Sequence, residues 1–155
     1  MQIQLLAIGQ KMPRWIVEGF ETYQKRMPRG LDLVLSELPA GLRTAAQGPD
    51  KALAQEGGRM LERITPGDHV VALAIGGNLW STEALAVKMT AWMQAGQRVL
   101  LLVGGPDGLD PRVLARANDL WSLSPLTLPH PLVRVVIAEQ LYRAQSILGH
   151  HPYHR

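Results

Sequence analysis

The last six residues of the chain, HHPYHR, gather side chains that can do chemistry. They hold three of the five histidines, together with Tyr153 and Arg155. Chain ends usually fray and vary, so the cluster has three explanations: a metal site, a tag remnant, or the part of a working site that the tail completes. No acidic or cysteine ligand accompanies His150, His151 and His154, which disfavours a metal. The interrupted histidine run disfavours a tag.

Two further candidates lie upstream of the tail. Arg143 follows Glu139 by four residues, which is the spacing of an ordinary helix-surface ion pair, but a guanidinium also suits a carbonyl or phosphate partner. His130 stands between two prolines, where it either caps the next helix or serves a site as a base. The residues alone leave both alternatives open.

Two glycine-rich segments follow apolar runs, at residues 74–78 (AIGGN) and 103–108 (VGGPDG). Open α/β sheets bind ligands beyond the carboxyl ends of their strands, and glycine lets a backbone approach a ligand closely. Tight turns explain such glycines as well. Neither segment fits the G-x-G-x-x-G or G-x-x-x-x-G-K-[ST] pattern, which excludes the common phosphate-binding loops.

A third unusual segment, residues 123–131 (LSPLTLPHP), carries three prolines in nine residues. Proline fixes φ and removes a hydrogen-bond donor, so the connection is stiff. Such a loop either packs as a rigid crossover or grips a flat heterocycle such as adenine with its backbone.

Composition limits the class of protein. The chain has 155 residues, 46% of them apolar, and no cysteine, which excludes disulfides, thiolate catalysis and cysteine-ligated zinc. No apolar run spans a membrane and no signal peptide is evident, so a cytoplasmic location is expected. The net charge is +3, and 12 of the 16 basic residues are arginine. Four basic residues near the start form either a phosphate contact or a solvated helix face: Arg14, Lys25, Arg26 and Arg29.

Apolar periodicity predicts alternating strands and helices. Strands are expected at 2–8, 31–38, 69–75, 98–103 and 121–123, and helices after Pro13 and at 50–64, 82–95, 110–118 and 131–148. Residues 1–155 are expected to form one α/β domain, with a mostly parallel sheet covered by helices on both faces.

Several segments together resemble the RlmH family of SPOUT methyltransferases. They are LLVGGPDGL, WSLSPLTLPHPLVR, EQLYRA and the terminal HPYHR, with IQLLAIGQKMP and GFETYQKRMP near the start. The resemblance implies a C-terminal trefoil knot, a homodimer whose partner subunit finishes each active site, and S-adenosyl-L-methionine as cofactor. It also implies methylation of N3 of a pseudouridine in large-subunit (23S) rRNA, with intact ribosomes as the target and neither metal nor membrane involved.

The resemblance also assigns residues. Cofactor-binding positions are Leu73, Gly77, Gly104, Gly105, Leu123, Ser124, Pro125, Leu126, Thr127 and Leu128. The chemistry of methylating an imide nitrogen calls for a base or for cations that stabilise the developing charge. The candidate bases are His130, Tyr153 and His154, and the candidate cationic partners of the substrate are Arg143 and Arg155.

The chain departs from the family in its first glycine segment. Relatives often carry an acidic residue at the position of Ala74 and a lysine at that of Asn78. This departure supports one alternative, an RNA-binding assembly factor of the same fold without catalysis. A methyltransferase of the same fold for another RNA base is a second alternative.

Overall fold

Five parallel strands form the centre of the protein. The computed structural model describes residues 1–155. The strands are β1 (Gln2–Ile8), β2 (Asp32–Leu38), β3 (His69–Leu79), β4 (Val99–Val103) and β5 (Asp119–Ser122). They are ordered β2-β1-β4-β3-β5, and every pairing is parallel. The predicted α/β fold with a parallel sheet is confirmed.

Helices connect the strands and cover both faces of the sheet. They are α1 (Arg14–Gln24), α2 (Gly48–Arg63), α3 (Thr82–Ala95), α4 (Pro111–Arg116) and α5 (His130–Leu148), and a 3₁₀ turn follows at Pro152–His154. The ends of α3 and α4 carry residues that commonly cap helices. The Ser81 and Asp110 side chains accept backbone N–H bonds at the two N-termini, and Gly96 ends α3 in a left-handed conformation. These are the cap types that leave the fewest backbone groups unpaired.

The central strands are apolar on both faces because the core has two halves. Successive side chains of a strand point to opposite faces. In β1, Leu5 packs into the core under α1, α3 and α5, whereas Leu6 packs into the core under α2 and α4. In β4, Leu101 and Leu102 divide in the same way. This explains why the runs read as continuously apolar.

Strand β3 is longer than its apolar run predicts. It continues past residue 75 because Asn78 and Leu79 pair with Trp121 and Ser122 of β5, beyond a register shift that starts at Leu73. The residues between Leu73 and Asn78 form a bulge, after which β3 pairs with β5 again, instead of a free loop. Such a bulge depends on the partner strand, so local periodicity does not show it.

No helix of the chain is long and apolar enough to cross a membrane. The trefoil knot that the resemblance implies stays a prediction.

Candidate functional site

A cavity of about 380 Å³ opens at the carboxyl ends of β3, β4 and β5, beside the first turn of α5. This is the edge at which parallel α/β sheets bind ligands. Its walls are the three segments that the sequence singled out: the end of β3, the glycine loop after β4 and the proline-rich connection before α5. The parallel sheet brings them together because it places all strand ends at one edge.

Most of the residues expected to bind a cofactor line this cavity. Of the ten, Gly77 and Pro125 are not among the lining residues, and the Cα of Gly77 packs against the backbone of Leu120 and Trp121, where an added Cβ would come within 2.8 Å. The other eight do line it: Leu73, Gly104, Gly105, Leu123, Ser124, Leu126, Thr127 and Leu128.

The cavity wall is neutral. None of its 18 residues is Asp, Glu, Lys or Arg, and half are hydrophobic. The glycine loop lies tight against itself, since a Cβ at Gly104 would collide with the carbonyl oxygen of Gly108. Polar contacts to a ligand must therefore come mainly from backbone groups and from hydroxyls such as that of Thr127. A neutral, largely apolar cavity of this size suits a flat heterocycle of nucleoside dimensions.

Two buried ring nitrogens of the cavity residues have no hydrogen-bond partner in the chain. They are Nε1 of Trp121 and Nδ1 of His130. Buried polar atoms are nearly always paired, so these nitrogens are suited to a ligand in the cavity. Trp121 is held by stacking on Trp80 at 4.9 Å between ring centroids. Sequence reasoning missed Trp121, although its place at the end of the last strand is a usable signal.

The connection that forms the outer wall is braced internally. The Ser122 hydroxyl donates to the carbonyl of Ser124 at 3.2 Å, and the backbone N–H of Leu126 donates to the Ser124 hydroxyl at 3.0 Å. These bonds, with the prolines, hold the segment in one shape. Leu126 is nevertheless 75% exposed, as is Ile75 at 79% on the facing wall.

His130 is the one predicted catalytic residue that lines the cavity. Burial lowers the pKa of its imidazole from the ordinary value, and the positive charge of Arg134 one turn later lowers it further. Arg134 is itself buried, pairs with Glu37 and donates to the carbonyl of Gly9 at 2.8 Å. His130 therefore sits beside a fixed cation, which favours its neutral form at pH 7.

The tail forms a second cluster at the other end of α5. Nε of Arg143 donates to Glu139 at 2.8 Å, and the Tyr153 hydroxyl donates to the same carboxylate at 3.2 Å. The Arg143 guanidinium lies 5.0 Å from the centre of the Tyr153 ring, which also contacts Tyr142 edge-on at 4.6 Å. Burial, then the neighbouring Tyr23 and Glu139, raises the pKa of Tyr153 to about 12. Tyr153 therefore keeps its proton at neutral pH.

The end of the tail is a short capped turn. The His151 ring accepts the backbone N–H of Tyr153 at 3.2 Å, and the His154 ring bonds to the His151 carbonyl. Arg155 is exposed. No group of three or more metal-ligating side chains is brought together anywhere in the chain.

One chain does not bring the two clusters together. His130 and Arg143 are 13 residues apart on α5, which is about 20 Å along a helix axis. The cavity with His130 lies at one end of α5, and Arg143 with Tyr153 to Arg155 lies at the other.

Comparison with known proteins gives matches over the whole chain. The family described as "Predicted SPOUT methyltransferase" matches residues 1–154. Proteins named Ribosomal RNA large subunit methyltransferase H are similar along their full length: the one from Hahella chejuensis (strain KCTC 2396) is 56% identical over 100% of this chain and 99% of its own, and the one from Marinomonas sp. (strain MWYL1) is 51% identical over 100% of both.

Solved structures agree on the fold. A methylase-family protein from Haemophilus influenzae Rd KW20 superposes with a TM-score of 0.59 at 13% identity, covering 96% of this chain and 68% of the other. One from Neisseria gonorrhoeae gives 0.58 at 14% identity, covering 90% and 81%. On these matches the chain belongs to the SPOUT methyltransferase family, whose members transfer a methyl group from a donor to a substrate.

Proposed function

We propose that this protein methylates N3 of a pseudouridine in large-subunit (23S) rRNA, with S-adenosyl-L-methionine as donor. It does so as a homodimer of single-domain chains on assembled ribosomes in the cytoplasm. The observation that carries the proposal is the neutral strand-end cavity with His130 at its rim, in a chain 56% identical to a protein named Ribosomal RNA large subunit methyltransferase H.

The cavity residues fit the donor. The Leu123 to Leu128 wall and the Gly104-Gly105 backbone would hold the adenosyl group, with the indole nitrogen of Trp121 free to bond to it. S-adenosyl-L-methionine supplies a methyl group already activated on a sulfonium sulfur. The task left to the chain is to position the substrate in line with that methyl group and to manage one proton.

The proton in question is that of N3, an imide N–H that becomes a good nucleophile as its proton leaves. Among the three candidate bases, His130 is the best suited, because it lines the cavity and its buried Nδ1 has no hydrogen-bond partner, while the lowered pKa favours the neutral ring. Tyr153 holds its own proton too tightly. His154 donates through Nδ1 to the His151 carbonyl, so Nε2 is its one nitrogen that could accept a proton. Tyr153 and His154 then act as hydrogen-bond donors to the pseudouridine or as stacking partners of its ring.

Arg143 and Arg155 are proposed to stabilise the negative charge that develops on the carbonyls beside N3. Such groups contribute most when their geometry is set in advance, and Glu139 already holds the Arg143 guanidinium in one position. Because Arg143 lies about 20 Å along α5 from His130, a second chain must supply it. Exposed apolar side chains around the cavity, Ile75, Leu79 and Leu126, suit burial against that second chain.

Two experiments test the proposal. Calorimetry should detect binding of S-adenosyl-L-methionine, and no binding at millimolar cofactor would overturn the enzymatic function. Mass spectrometry of rRNA from a deletion strain should show one methylpseudouridine lost from the large subunit. If that modification is retained and another is missing, the protein is a methyltransferase for a different base.

A further inference from the structure

The glycine loop of the cavity, residues 104–108, is hydrogen-bonded to a distant part of the chain on the side away from the cavity. Arg43, in the connection between β2 and α2, donates through Nε to Asp107 of this loop at 2.8 Å. Its two terminal nitrogens donate to the two carboxylate oxygens of Glu56 in α2, at 2.7 and 3.1 Å. One guanidinium thus joins its own connection and the α2 helix that follows to a loop 64 residues further along the chain.

Glu56 lies directly behind the cavity wall. Its side chain is 2% exposed, and Oε1 is 3.7 Å from the position that a Cβ of Gly105 would take. The backbone N–H of Gly41 also donates to this carboxylate, at 2.8 Å. A buried carboxylate needs such partners, because leaving it unpaired costs several kcal/mol.

Asp107 has a different position in the network. Its side chain is 37% exposed, and it does not line the cavity although its neighbours Pro106 and Gly108 do. Its carboxylate is therefore not part of the cavity wall. Its bond to Arg43 is its only side-chain bond, so what it does for the loop passes through that guanidinium.

We propose that Arg43 is a positioning residue for the cofactor: bonded to Glu56 and Asp107, it holds the 104–108 loop in the shape that binds the donor. The inference rests on the proposed function. The planar guanidinium is required because it presents donors to two carboxylates at once, which the single ammonium of lysine cannot reproduce in the same geometry. Those two carboxylates also raise the pKa of Arg43, so its charge is permanent.

The test uses Asp107→Asn, which removes the negative charge from the bond between Arg43 and the loop and leaves Glu56 paired with Arg43. Because the side chain is partly exposed, the variant should fold with a melting temperature close to wild type. Calorimetry with S-adenosyl-L-methionine should give a Kd about 5-fold higher, the scale of one partly exposed charge-assisted bond. The KM for RNA should stay within about 2-fold of wild type, since the loop faces the cofactor.

Two companions sharpen the result. Asp107→Glu keeps the carboxylate on a side chain with room to adjust, and should restore the Kd to within about 2-fold. Arg43→Lys keeps a positive charge beside Glu56 but loses the planar guanidinium that donates to both carboxylates. It should raise the Kd for cofactor about as much as Asp107→Asn does. The double variant should have a Kd little higher than that of either single variant. Glu18→Gln is the matched control, because it breaks an equally short pair with Arg14 on the exposed face of α1.

The outcomes separate this inference from the proposed function. Wild-type protein that binds no cofactor removes the proposed function itself. Wild-type binding with an unchanged Kd in Asp107→Asn overturns the positioning role alone. An equal rise in the Kd for cofactor and the KM for RNA also overturns it, because the effect would then be a general loss of structure.

Discussion

The two ends of α5 are built from opposite kinds of residue. At the first turn, the cavity is neutral, with backbone groups, prolines and apolar side chains and no carboxylate or cation in its lining. At the last turns, the tail cluster is made of charged and aromatic side chains, Glu139, Arg143, Tyr142 and Tyr153. The first suits a heterocycle that must be enclosed, and the second suits a polar substrate on which charge develops. Under the proposed function, one helix therefore carries a cofactor end and a substrate end.

The largest expected effect comes from the substrate end. Deletion of residues 153–155, or Arg143→Ala, should lower methyl transfer by about 10²–10³-fold or more, the scale of removing a transition-state donor. The Kd for cofactor should not change, since the cavity is at the other end of α5. Glu18→Ala is the control because Glu18 belongs to an Arg–Glu pair with the same four-residue spacing on the exposed face of α1. Full turnover in both test variants would remove the tail cluster from the site.

A mixed dimer tests whether the two ends work across subunits. One chain lacks residues 153–155, and the other carries Ser124→Trp, which fills the cavity; each homodimer should be inactive. A heterodimer purified through two different tags should show about half the wild-type activity, because one of its two sites combines an intact cavity with an intact tail. No activity in the heterodimer would mean that tail and cavity act within the same chain.

The cofactor end should be sensitive to backbone crowding instead of charge. Gly104→Ala pushes a methyl group into the Gly108 carbonyl, so the loop must shift; we expect about 1–3 kcal/mol lower stability and about a 10-fold higher Kd for cofactor. Gly76→Ala is the matched control in the neighbouring segment, where a Cβ meets nothing within 4 Å. Thermal melts and calorimetry measure both. If Gly104→Ala and Gly76→Ala have the same melting temperature and the same Kd for cofactor, the cofactor loop is not close-packed.

The sequence predicted which segments line the cavity better than it predicted the contacts of the tail cluster. Apolar periodicity implies parallel strands, and parallel strands place the segments after Leu73 and Val103 at one edge. Apolar periodicity did not predict the contacts of Arg43 with Glu56 and Asp107, because ion pairs between separate segments produce no periodic pattern in the sequence. The bulge of β3 was missed for a similar reason, because it depends on pairing with β5. That the tail cluster and His130 lie apart follows only from the length of α5.

The smallest effect concerns His130, the polar member of the cofactor end. Burial and then Arg134 lower its pKa in the folded chain below the ordinary 6.5. Below about pH 6.5 the unfolded chain therefore binds a proton that the folded chain does not, and the free energy of unfolding falls as pH falls. His130→Gln should lose less stability than wild type between about pH 7 and pH 5 in urea titrations.

The two shifted aspartates do not interfere with that measurement. The pKa of Asp68 is lowered to about 2, and that of Asp110 is also lowered, both mainly by bonds to an arginine. Their ordinary value is 3.8, so their contributions are lost only at lower pH than the window used. If the free energy of unfolding falls equally with pH in wild type and His130→Gln, the pKa of His130 is the same in the folded chain as in the unfolded one. The neutral cofactor end would then extend only to its backbone and apolar wall, and the lowered pKa would no longer favour His130 over His154 as the base for N3.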